Sequence, residues 1–88
     1  MAVRYRRADG AVSRHAHGKV YVLPPGSTDM VVLSGTGIDV WQGFGMPKTI
    51  DEITSSLVIR YGVPANVVER DVTSAVADLV ERRVLAEA

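Results

Sequence analysis

Three sets of residues in this chain have types and spacings that suggest chemistry. Gly35-Thr-Gly37 resembles the opening of a dinucleotide-binding loop, in which glycines let the backbone approach a pyrophosphate. Position 40 is Val where that fingerprint needs a third Gly or Ala, and no βαβ unit surrounds the pair. A tight strand-to-helix corner that tolerates no side chain fits these residues better. If their stretch is a strand, His15 and His17 lie on one face of it, at a separation that could hold part of a metal site. Two ligands do not complete a coordination sphere, and neither a cysteine nor a cluster of acids stands nearby, so both are read as solvent-exposed and no metal is expected. Ser, His and Asp all occur, but without a nucleophile elbow, and so short a chain leaves little room for a substrate pocket. The expectation is a protein that is not an enzyme and needs no cofactor.

The elements that position these residues change character along the chain. Val3-Arg-Tyr-Arg-Arg7 and Val12-Ser-Arg-His-Ala16 are weak strand candidates on either side of an Asp9-Gly10 turn signal. Lys19-Val-Tyr-Val-Leu23 is a stronger one, stopped by Pro24-Pro25-Gly26. Asp29-Met-Val-Val-Leu-Ser34 follows, apolar at four consecutive positions. Neither face of that run is suited to water, which fits a strand covered on both sides or one that awaits a partner. From there the spacing is helical. Ser34-Gly-Thr-Gly37 can cap a short helix carrying Ile38, Val40, Trp41 and Phe44, ended by Gly43, Gly45 and Pro47. Thr49 and Glu52 have the spacing of a capping box, and Ile50, Ile53, Leu57 and Tyr61 form one stripe before Gly62. Pro64 suits the first position of a third helix of about five turns, along which Val68, Val72, Val76 and Leu79 recur at intervals of three and four. Its closing residues, Arg82-Arg83-Val84-Leu85, put cations where the helix dipole favours them. Strands followed by helices make this an α+β chain and exclude a doubly wound sheet.

Composition bounds the rest. The chain has 88 residues, 47% of them hydrophobic, and no cysteine. It is expected to form a single small domain over 1–88, held by aliphatic packing. At this size folding buries about 60 to 65% of the unfolded surface, so stability is expected on the order of 5 kcal/mol. No run reaches membrane-spanning length, and no apolar segment follows the basic residues of Met1-Ala-Val-Arg-Tyr-Arg-Arg as in a signal peptide, so a cytoplasmic location and no membrane partner are expected. Ten Lys and Arg balance ten Asp and Glu. Zero net charge argues against general nucleic-acid binding, which needs a surplus of cations on one surface. Three helices with a small sheet also suit a winged helix-turn-helix that reads DNA, but Glu69, Asp71, Asp78 and Glu81 on the last helix would repel phosphate.

One stretch resembles a known family. Leu33-Ser34-Gly35-Thr36-Gly37-Ile38-Asp39-Val40-Trp41 is similar to the Leu-Asn-x-Thr-Gly-x-x-Ile-Trp signature of the PqqD-like family, small peptide-binding domains called RiPP recognition elements. Thr49-x-x-Glu52-Ile53, Tyr61-Gly-Val-Pro64, and Asp71-Val72 followed by Leu79 and Val84-Leu85 agree in order and spacing, so the resemblance covers roughly residues 18 to 86. Ser34 stands where the family usually has Asn, and Val40 where it has Ile.

The resemblance implies a winged helix-turn-helix-like domain with a three-stranded antiparallel sheet followed by three helices, a core of about 12–86, and no catalysis of its own. In the family, the leader segment of a ribosomally made precursor peptide adds as an extra strand to the third strand, in the groove between it and the third helix. A free-standing chain of this length resembles the recognition proteins of lasso-peptide pathways. These present the precursor to a separate leader peptidase and a macrolactam synthetase, and their leaders often carry Tyr-x-x-Pro. A quinone-cofactor or other modified-peptide pathway is the alternative within the family. On this reading the candidate peptide-binding residues are Asp29, Met30, Val31, Val32, Leu33 and Ser34 on the strand and Val67, Val68, Asp71, Val72 and Ala75 on the helix. Strand alternation sends Val31 and Leu33 to one face and Met30 and Val32 to the other, one pair to the core and the other free to border the groove. Asp71 is expected to receive a donor from the peptide. DNA binding, or permanent service as a subunit of a larger enzyme, are the rival classes.

Overall fold

The computed structural model describes residues 2–88, so Met1, the first residue of the segment read for a targeting signal, lies outside it. Among the described residues no helix is long and apolar enough to cross a membrane. Strands β1 (Arg4–Arg7), β2 (Val12–Ala16), β3 (Lys19–Leu23) and β4 (Val31–Leu33) lead to helix α1 (Thr36–Gly43). Short strand β5 (Lys48–Thr49), helices α2 (Ile50–Tyr61) and α3 (Ala65–Glu81), and strand β6 (Leu85–Glu87) complete the chain.

The expected three-stranded antiparallel sheet is present, in the order β2-β3-β4. His17 and Gly18 join β2 to β3, both with positive φ, the conformation that matches strand twist in a two-residue hairpin. Val20 and Val22 of β3 are fully buried, and β4 pairs with β3 through Val20↔Leu33, Tyr21↔Val32 and Val22↔Val31. The sheet therefore buries one face, the side of Val20, Val22, Val31 and Leu33, against the helices.

At the corner after β4 the sequence expectation needs correction. Ser34 does not cap α1 with its side chain; the cap residue is Gly35 at φ 56°, a conformation that favours glycine, and Ser34 contributes only its carbonyl, which accepts from the Gly37 N–H at 3.1 Å. The helix delivers Val40, Trp41 and, just past its end, Phe44 to the core. Its last residue, Gly43, faces α2 closely: a Cβ there would lie 2.5 Å from Ile53 Cδ1.

Helix α2 begins as predicted. Thr49 Oγ1 accepts from the Glu52 N–H (3.1 Å), while Glu52 Oε1 accepts from the Thr49 N–H (2.9 Å) and from Arg4 (2.9 Å). Those bonds, the backbone one first, hold the Glu52 carboxyl below its ordinary pKa. Ile53 and Leu57 are buried, but Tyr61, placed by periodicity on the same stripe, is 55% exposed because the helix runs past the core before Gly62 reverses it. Pro64 takes the cap position of α3, so the helix begins at Ala65, one residue later than expected, and Val68, Val72, Val76 and Leu79 form the buried stripe.

Two further expectations change. Arg82-Arg83-Val84-Leu85 does not close α3, which stops at Glu81. Arg83 adopts φ 68°, its N–H donates to the Val80 carbonyl, and the Val84 N–H donates to the Leu79 carbonyl, the paired bonds of a Schellman reversal. Turning the chain lets Val84 and Leu85 enter the core, which a continued helix would not allow both to do. Nor does Asp9-Gly10 join β1 to β2 as a hairpin. Strand β1 is instead the centre of a second sheet, β5-β1-β6, antiparallel to both neighbours. Tyr5 and Arg7 share a face of β1: Tyr5 meets Phe44 edge to face (6.3 Å), and the Arg7 guanidinium lies 4.7 Å from the centre of the Trp41 ring.

Candidate functional site

Beside α3 a groove of about 380 Å³ opens to solvent. Val67, Val68, Asp71 and Val72 form its helical wall, Leu57, Tyr61 and Val63 come from the end of α2 and the turn after it, and Gly35, Thr36 and Asp39 come from the corner after β4 and the start of α1. The wall follows from helical spacing: residues 68 and 72 are one turn apart and buried at the base, whereas 67 and 71 sit one position earlier and rise toward water. Ala75, the remaining candidate on α3, lies a turn further along, half-buried against the core rather than in the groove.

The strand candidates divide by face. Val31 and Leu33 are buried in the core, while Met30 (55% exposed) and Val32 (48%) stand on the outer face of the sheet. No side chain among Asp29–Ser34 lines the groove; Gly35 and Thr36 do so instead. What β4 offers is its main chain, since among the described residues it pairs with β3 alone and its other edge is free. Asp29 and Ser34, both exposed, bracket that edge.

The groove is apolar below and acidic above. Asp39 is held from two directions, with Oδ2 accepting from the Tyr61 hydroxyl at 3.0 Å and Oδ1 accepting from Arg60 at 3.4 Å. The Arg60 guanidinium also lies over the Tyr61 ring, 5.8 Å from its centre. Asp71 has only its sequence neighbour Arg70, at 3.9 Å, and is over half exposed. Such a cavity suits an aromatic or aliphatic side chain that ends in a hydrogen-bond donor. Asp39 and Tyr61 escaped the sequence reading because their pairing joins residues on different helices. The available signal was Tyr61 itself, a polar-tipped ring at the end of an apolar stripe, where the tip needs a partner. His15 and His17 are exposed at the hairpin, and among the described residues no cluster of His, Cys, Asp or Glu has the geometry for a metal ion.

The sequence model of the family described as Coenzyme PQQ synthesis protein D (PqqD) matches residues 19–85. A comparison with curated proteins gives no match. Among solved structures, TbiB1 in complex with the TbiA(beta) leader peptide is similar, with 26% identity, a TM-score of 0.79, and coverage of 91% of this chain and 93% of that one. The PqqD truncation of Methylobacterium extorquens PqqCD was solved by solution NMR as a functional, stand-alone RiPP recognition element. It shares the fold at 22% identity and a TM-score of 0.77, covering 94% of this chain and 88% of that one.

Proposed function

This chain belongs to the PqqD family of RiPP recognition elements, and from that premise we propose that it binds the leader segment of its precursor peptide by adding it as a strand to the free edge of β4, beside α3. The observation that carries this reading is the pairing of an open strand edge with an apolar groove along the neighbouring helix. Main-chain bonds to β4 supply affinity with little selectivity, and selectivity comes from a side chain that enters the groove. Val67, Val68 and Val72 pack against the apolar part of that anchor, while Asp71 and Asp39 accept from its polar end. The protein performs no reaction. It presents the bound leader to a separate leader peptidase and a macrolactam synthetase, the arrangement of lasso-peptide biosynthesis, and the anchor is the tyrosine of a Tyr-x-x-Pro leader. The similarity to TbiB1, solved with a leader peptide, supports leader recognition by this chain.

A bound segment of about six to eight residues buries about 1,000 Å² in total, the low end for a specific interface, so affinity rests on one or two anchors. The test is an anisotropy titration of labelled Tyr-x-x-Pro leader peptides, with a labelled DNA duplex alongside at physiological salt. Saturable binding in the micromolar range or tighter is expected for the peptide and none for the duplex. Alanine at the leader Tyr or Pro is expected to cost about 2 kcal/mol, roughly thirtyfold in Kd. Unchanged affinity for those variants defeats the lasso-type reading, and a bound duplex with free peptide transfers the function to DNA.

A further inference from the structure

Within the chain, Tyr61 already supplies what the groove is suited to accept, an aromatic ring that ends in a donor. Its hydroxyl donates to Asp39 Oδ2 at 3.0 Å, and Arg60 donates to Oδ1 at 3.4 Å. Charge-assisted hydrogen bonds ordinarily run about 2.5 to 2.9 Å, so both contacts are long and the carboxylate is loosely held. The Asp39 side chain is only 24% exposed and both of its oxygens are engaged, which leaves a third donor little room to approach. Of the two residues that hold it, Tyr61 lines the groove, whereas Arg60 stands outside, over the Tyr61 ring. Tyr61 is also free to move. It lies outside the core and is the last residue of α2, with Gly62 reversing the chain behind it.

We propose that Tyr61 is a specificity-determining residue of the leader site: its hydroxyl competes with the anchor's donor for Asp39 Oδ2, so an anchor reaches that carboxylate only by exchanging one donor for another. The inference rests on the peptide-recognition reading and extends it to how the anchor is selected. For a tyrosine anchor the exchange replaces one phenol by another, and Asp39 remains satisfied. A phenylalanine anchor offers nothing in return. Displacing Tyr61 would leave a mostly buried carboxylate short of a donor, the cost that a hydrogen-bonding site imposes on an analogue lacking the group. Phenylalanine therefore binds with Tyr61 still on Asp39, in the part of the groove that remains.

The experiment titrates the full chain with a labelled Tyr-x-x-Pro leader peptide and with the same peptide carrying Phe for Tyr, and records the thermal midpoint of each variant. Tyr61→Phe keeps the ring, and Arg60 still ties the end of α2 to Asp39, so this variant is expected to fold. It is expected to bind the tyrosine peptide about fivefold more tightly, the worth of one hydrogen bond no longer broken on loading, and the phenylalanine peptide unchanged. In an Asp39→Ala background the same substitution is expected to change neither affinity, because the contested oxygen is gone. Weaker or unchanged binding of the tyrosine peptide by Tyr61→Phe overturns the exchange and leaves leader recognition intact. An equal gain for both peptides, or a gain that persists without Asp39, overturns it too, since either reports a wider groove and not a freed acceptor. Failure of the parent chain to bind the leader overturns the recognition reading and this inference with it.

Discussion

Asp71 projects from α3 at the rim of the groove, 56% exposed, with Arg70 at 3.9 Å as its ion-pair partner. Little of the fold depends on a carboxylate so placed, because an exposed pair at that distance contributes next to nothing. In the proposed complex the same carboxylate would accept from the peptide where the groove excludes part of the water, and a hydrogen bond to a charged group is worth more there. Asp71→Ala is therefore expected to weaken leader binding by about 1 kcal/mol, roughly fivefold in Kd, with an unchanged thermal midpoint. Equal affinity would leave Asp71 only a role in the charge of the helix, and loss of folding would reassign it to structure. Asp39 differs, since it is tied to both Arg60 and Tyr61 and so fixes the end of α2 as well as lining the groove. Trp41 belongs to neither group: 2% exposed, it was legible as core from its place in an apolar helical stripe. The Asp39–Tyr61 contact was not, because periodicity describes one helix at a time and says nothing of which residues meet across two.

At the scale of elements, local rules worked where the energy is local. Thr49 and Glu52 satisfy each other within a single turn, so the start of α2 could be read from four residues. The end of α3 depends instead on burying Val84 and Leu85, a demand set by the distant β1 and the core, and Arg82-Arg83 gave a helix-ending signal some residues too late. Likewise Asp9-Gly10 has turn chemistry, but which strands flank a turn is decided by what β1 can pair with, and β5 and β6 lie far along the chain. The reversal after α3 carries a cost of its own. Arg83 holds a left-handed backbone at φ 68°, where a Cβ is unfavourable and glycine is the usual residue. Arg83→Gly is expected to raise stability by about 0.5 to 1 kcal/mol, measured as a higher denaturant midpoint at constant slope. A lower midpoint would mean that the Arg83 side chain contributes more than its backbone strain removes.

Across the whole molecule the N-terminal strand does work that the family match does not describe. The matched stretch begins at residue 19, yet β1, at residues 4 to 7, is the central strand between β5, which leads into α2, and β6, which follows α3. These two helices carry most of the groove, so β1 ties together the elements whose spacing sets its width. Arg7 anchors the strand at one point of high leverage. Its Nε and Nη2 both donate to the Trp41 carbonyl at 3.3 Å near the end of α1, where cations are favoured, and its guanidinium lies over the Trp41 ring. A charged donor to a backbone carbonyl and a partly shielded cation–π contact together argue for about 1 to 2 kcal/mol lost in Arg7→Ala, a large part of the margin of a domain this small. If β1 is integral, the loss appears as a single cooperative transition at lower temperature, and near-ultraviolet circular dichroism, which reports the Trp41 environment, moves in step with the far-ultraviolet signal. If β1 is an appendage, the variant melts at the parent temperature and only the Trp41 signal changes. Leader affinity separates the two further, because a groove whose flanking helices lose their common tie binds more weakly even while folded, whereas a frayed appendage leaves β4 and α3 as they were.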